Sequence, residues 1–101
     1  MVRGDIVFEV DDRNGKKIRL TKKQWRHITK YHRYMANYLE EIKETLIDPI
    51  RITDSLYDEK VRYHFTYLKH ISHSKKYLLV AVRYLNGEGF VVTAYLEKNI
   101  K

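Results

Sequence analysis

The chain has no cysteine, which excludes disulfides and thiolate metal ligands and fits a cytoplasmic setting. It has four glycines, and none forms a glycine-rich phosphate loop. A nucleophile elbow and paired carboxylates are missing as well. No apolar run approaches the roughly 20 residues that cross a bilayer. The opening MVRGDIVFEV lacks the pattern of a signal peptide, so the expectation is a soluble intracellular protein without membrane association. Acid is missing where it matters most: between Arg13 and Arg33 there are nine Lys or Arg and no Asp or Glu. The single proline, Pro49, follows Asp48 and closes a helical pattern.

What is present is charged and aromatic. The net charge is +7 over 101 residues, a third of them charged, with nine tyrosines. That length suits one domain, residues 1–101, with one modest core. A basic block on folded elements reads as a site for a polyanion, and aromatic faces stack on unpaired bases. The other reading is a solvated face that keeps the protein soluble.

The stretch from Leu20 to Pro49 organises the rest. Thr21 and Gln24 form a capping-box pattern, with Leu20 and Trp25 placed as a hydrophobic staple. Trp25, Ile28, His32, Met35, Leu39, Ile42 and Leu46 then step by three and four along one helix face. Lys22, Lys23, Arg26, Lys30 and Arg33 crowd the first half, and Glu40, Glu41, Glu44 and Asp48 the second, against the helix dipole. So long a helix in so small a chain predicts a bend near His32–Tyr34.

Asn14-Gly15 between Ile6–Val10 and Lys17–Leu20 predicts an N-terminal hairpin. After Pro49 the period changes to two, giving strands around Ile50–Leu56, Lys60–Lys69, Tyr77–Asn86 and Phe90–Leu96. The expectation is an α+β fold: an N-terminal hairpin, with one long or two consecutive helices packed on a four-stranded antiparallel sheet. The helical stripe covers one sheet face. The other stays partly open and carries the polar members of each alternation.

Histidine, cations and hydroxyls remain as the chemical inventory. His70 and His73 have ligand-pair spacing, but no carboxylate cluster accompanies them, so no metal and no cofactor is expected. The inventory suits RNA transesterification. A base takes the 2′-hydroxyl proton, an acid protonates the leaving oxygen, and cations or donors hold the phosphorane oxygens.

Trp25-Arg26-His27-Ile28, His32, the helix ending at Asp48-Pro49 with Ile52 beyond, Lys76–Val80, and Val91-Val92-Thr93-Ala94-Tyr95 together resemble a known family. These are the phage-associated nuclease-fold domains grouped with barnase, EndoU, colicins E5 and D, and RelE. The resemblance runs from about Leu20 to Leu96. It implies a metal-independent ribonuclease fold (RNase/RelE-like) with its active surface on the sheet and the adjoining helix. It also implies a toxin-like role, with an antitoxin or regulatory protein as a possible partner. That family often carries proline directly after the second histidine; here Arg33 stands there, which tells against a bend at that point.

The candidate catalytic residues are His27 and His32 for proton transfer, with Arg83, Thr93 and Tyr95 at the phosphate. Lys22, Lys23, Arg26, Lys30, Arg62 and Lys69 are candidate contacts to the RNA backbone. Each has a plainer reading: His27 as a helix-surface residue, His32 as a hydrogen-bonded core histidine, Thr93 and Tyr95 as ordinary strand residues, Arg83 as an ion-pair partner. A non-catalytic nucleic-acid- or partner-binding module on the same fold is the alternative. Convergence of His27, Arg83 and Thr93 would favour catalysis over it.

Overall fold

Asn14-Gly15 makes the expected turn, with Gly15 at φ 81°, a conformation glycine adopts without strain. Asp12 Oδ1 accepts from the amides of Asn14 and Lys16, each at 2.9 Å. The flanking segments pair antiparallel as β1 (Ile6–Asp11) and β2 (Lys17–Thr21). These elements belong to a computed structural model that describes residues 3–100.

Thr21 ends β2 and caps α1 (Lys22–Tyr31), its hydroxyl accepting from the Gln24 amide at 3.1 Å. Leu20 lies in the core cluster and Trp25 packs against that cluster. The Gln24 side chain does not close the capping box, for it donates to the Val92 carbonyl far along the chain.

The helix breaks at His32, which sits at φ −132° and ψ 77°. A 3-10 turn follows (Arg33–Asn37), then α2 (Leu39–Ile47). The bend therefore forms with Arg33 in place of proline. A straight helix from Thr21 to Ile47 would run about 40 Å, against a longest dimension of 37 Å for the molecule as folded. Folding back keeps Ile28, Met35, Ile42 and Leu46 fully buried on one sheet. The break also removes half of the charge anomaly. Glu40 and Glu41 now lie in the first turn of α2, where the dipole favours acids.

Beyond Pro49 come β3 (Arg51–Asp54), β4 (Val61–Tyr67), β5 (Tyr77–Leu85) and β6 (Glu88–Glu97). The expected strand through Leu56 stops at Asp54, and Leu56 is 91% exposed in the following loop. A four-stranded antiparallel sheet with a hairpin beside it is not what forms. One mixed six-stranded sheet runs in the order β1-β2-β6-β5-β4-β3. β2 lies parallel to β6, Ile18 opposite Gly89 and Arg19 opposite Phe90. Gly89 permits that approach, since a Cβ there would stand 2.9 Å from Val82 Cγ1 and 3.0 Å from Ile18 Cγ1.

Both helices cover one face, over a core that includes Ile18, Leu20, Leu78, Val80, Val82 and Ala94. The opposite face is not the polar one. Val80 lies opposite His64 and Leu79 opposite Phe65, so the helix side of β4 carries Arg62, His64 and Thr66. Val61, Tyr63, Phe65 and Tyr67 turn away. There Phe65, Leu79 and Ala81 are buried as a second cluster, bordered by Tyr63, Tyr95 and Ile100. Alternation reports which residues share a face, not which face the helices take, and β5 is apolar on both. A register shift opposite Ala81 and Val82 also moves Val91. It joins the helix-side core instead of facing the same way as Thr93 and Tyr95. Among the described residues no helix is long and apolar enough to cross a membrane.

Candidate functional site

β2 flanks β6 only near Gly89 and Phe90. Past that point α1 lies beside β6, tied to it by the Gln24–Val92 hydrogen bond. His32, leaving the end of α1, stacks on Tyr95 of β6 with ring centroids 5.2 Å apart and planes at 26°. Thr93 precedes Tyr95 by two residues and shares its face, opposite Ala81 as Tyr95 is opposite Leu79. Tyr34 lies 6.0 Å from His32, and its hydroxyl accepts from the Leu96 amide at 3.3 Å. The His73 ring is 5.2 Å from Tyr34. Two imidazoles, two phenols and a threonine hydroxyl thus gather where α1 ends against β6. Tyr34 was not among the residues singled out in the sequence, and His73 was weighed there only for metal-ligand spacing. Tyr34 sits in a 3-10 turn with no periodic signature, and His73 in a connection whose path alternation does not fix.

The other candidates stand apart from this cluster. His27 is exposed, its ring 4.7 Å from Tyr31. By helical spacing it shares a flank with Gln24 and Tyr31, and Gln24 ties that flank to β6. Arg83 lies on the same sheet face as Thr93, two residues along β5 from Ala81, with Nη1 3.7 Å from Asp58 Oδ2. Among the described residues no hydrogen bond, ion pair or ring contact joins His27, Arg83 and Thr93. Arg62 is on the opposite face, 3.4 Å from Asp54. Lys69 is exposed at the start of the β4–β5 connection that carries His73.

The acid-free run of the sequence is only partly acid-free in space. Arg13 reaches Asp48 at 3.2 Å, Lys17 reaches Asp11 at 3.4 Å, and Arg19 holds Glu9 at 2.6 Å and Glu88 at 2.9 Å. The Arg19 hydrogen bond keeps the Glu88 carboxyl below its ordinary range. Lys22, Lys23, Arg26 and Lys30 remain exposed on α1, and among the described residues none enters an ion pair. Unneutralised cation is therefore concentrated on the helix whose last residues meet Tyr95.

A second histidine system went unforeseen. His64 is buried, with Nε2 3.1 Å from the Tyr84 hydroxyl, which donates to Asp12 Oδ2 at 3.1 Å. An ionised carboxylate only accepts, so the Tyr84 proton points to Asp12 and His64 donates its Nε2–H. Nδ1 is then the unprotonated nitrogen, and it is the buried ring atom without a hydrogen-bond partner. Burial pushes the His64 pKa down; burial and the neighbouring Asp12 push that of Tyr84 up. This chain fastens the β1–β2 loop to β4 and β5. The signal for it is a histidine opposite Val80 in a strand pair, which sequence alone does not pair. Among the described residues no group of three or more His, Asp or Glu is placed to hold a metal ion.

The family model for phage-Barnase-EndoU-ColicinE5/D-RelE like nuclease2 matches residues 3–101. No curated protein matches the chain, and no solved structure does.

Proposed function

The chain belongs to this phage-associated family of barnase-, EndoU-, colicin- and RelE-like nucleases, and on that footing we propose that it is a metal-independent endoribonuclease. The observation that carries the reading is the His32 imidazole stacked on Tyr95, with Thr93 on the same face, beside the unpaired cations of α1. His32 is one proton-transfer group; His27, apart from the His32 cluster on the flank of α1 that Gln24 ties to β6, is the other and reaches the phosphate from that flank. One takes the 2′-hydroxyl proton as O2′ bonds to phosphorus; the other protonates the 5′-oxygen as its bond to phosphorus breaks, leaving a 2′,3′-cyclic phosphate. Thr93 and Tyr95 hydroxyls donate to the phosphorane oxygens, and Arg83 supplies charge on the same face. Lys22, Lys23, Arg26, Lys30 and Lys69 hold the flanking backbone. A toxin-like role with a regulatory protein partner accords with this reading.

The test is cleavage of total RNA in EDTA with mapping of product ends. Cyclic phosphate ends are expected, and His32→Ala, His27→Ala and Thr93→Ala should each lower the rate, about 100-fold or more for the histidines. Binding without cleavage across a range of RNAs and pH would sink the catalytic reading.

A non-catalytic nucleic-acid- or partner-binding module is the second reading, favoured by the lack, among the described residues, of any contact joining His27, Arg83 and Thr93, and by two further observations. The centre of the sheet face is filled by Phe65, Leu79 and Ala81, and Arg83 is turned to Asp58. It predicts salt-steep binding that His32→Ala leaves intact.

A further inference from the structure

At the Arg83–Tyr84 end of β5, on the face opposite Arg83, a cavity of about 230 Å³ opens between the β1–β2 loop and the β3–β4 turn. Four cations line it, Arg13, Lys16, Lys60 and Arg62, against two acids, Asp12 and Glu59. Asp12 is already committed, accepting from two backbone amides and from the Tyr84 hydroxyl. The Lys16 ammonium lies 5.4 Å from the centre of the Tyr84 ring. Among the described residues neither it nor the Lys60 ammonium enters an ion pair. Arg62 is held by Asp54 at 3.4 Å in an exposed pair, the kind worth little in water. Arg13 is engaged with Asp48 and the Pro49 carbonyl, so it supplies field more than contact.

We infer that this cavity binds a phosphomonoester, carried on a free mononucleotide or at the end of an RNA chain. Two lysines outside any ion pair among the described residues and an arginine, all lining one cavity, suit a tetrahedral dianion. The volume is below the range of pockets for drug-sized ligands, so it takes a phosphate with a sugar-sized body and not an internal run of chain. The mononucleotide case stands without the nuclease reading; the RNA-end case rests on it.

Calorimetric titration of the full chain with inorganic phosphate, uridine 5′-monophosphate and uridine tests the inference. The nucleotide should bind in competition with phosphate, and uridine should not bind. Lys16→Ala and Lys60→Ala should each weaken nucleotide binding about tenfold, while Lys75→Ala, exposed in the β4–β5 connection away from the cavity, leaves it unchanged. No nucleotide binding, or binding that survives the double lysine variant, overturns the assignment. Short oligoribonucleotides then separate the sources. Tighter binding of terminally phosphorylated RNA than of the nucleotide assigns the site to an RNA end; equal binding assigns it to the free nucleotide. A fully dephosphorylated oligonucleotide that competes equally well overturns the monoester. Cleavage by His32→Ala reports separately on the nuclease reading.

Discussion

Tyr84 stands between an acceptor and a donor, so removing its hydroxyl strands both. Tyr84→Phe leaves the buried His64 Nε2–H without its partner and Asp12 with one donor fewer. The expected loss is about 1–3 kcal/mol, read as a lower urea midpoint at unchanged slope. His64 also makes stability depend on pH. Its folded pKa lies below the ordinary value of 6.5, chiefly because burial disfavours the charged ring. Between those two values the unfolded chain binds more protons, so stability rises with pH through that window. It is full above the window and falls as pH drops below about 6.5. Denaturant midpoints taken near pH 7.5 and near pH 5.5 should fall in the wild type and fall less in His64→Gln. None of this was readable in the sequence, where His64 is one polar member of an alternating strand. Thr93 and Tyr95 were readable as a pair, because alternation along β6 survives beyond the register shift opposite Ala81 and Val82.

Elements were legible where a local rule decides them. Asn14-Gly15 marks its hairpin and Thr21 caps its helix, and Thr21→Ala should cost about 1 kcal/mol in the same urea measurement. The bend at His32 was legible from the unusual length of the helical stretch for so small a chain, although the family's proline is absent. Which strand lies beside which is different, because pairing across the chain leaves no periodic trace. The parallel contact of β2 with β6 depends on Gly89, a residue that reads as part of a turn. Gly89→Ala forces a methyl group to 2.9 Å from Val82 Cγ1, and a loss of about 1–3 kcal/mol is expected. The inward His64 and the apolar outer face of β4 were hidden for a related reason. Two-sided burial of β5 leaves the choice of face to the helices.

For the whole molecule, the distribution of unpaired cation matters more than the net charge. If α1 tracks an RNA backbone, each cation it contributes adds about 0.7 to the slope of log affinity against log salt for a single strand. Lys23→Gln with Arg26→Gln should therefore flatten that slope by about 1.4 in titrations with a single-stranded homopolymer. Lys17→Gln should leave it unchanged, because that ammonium is paired with Asp11. The order of elements carries one more consequence. The inner neighbour of β2 is β6, the last in chain order of the strands among the described residues, and the ring that receives His32 belongs to it. During vectorial synthesis the basic helix emerges from the ribosome long before its scaffold, and the imidazole has nothing to stack on. That contact therefore waits until β6 has emerged, so a nascent chain stalled before β6 carries the histidine without the tyrosine it stacks on.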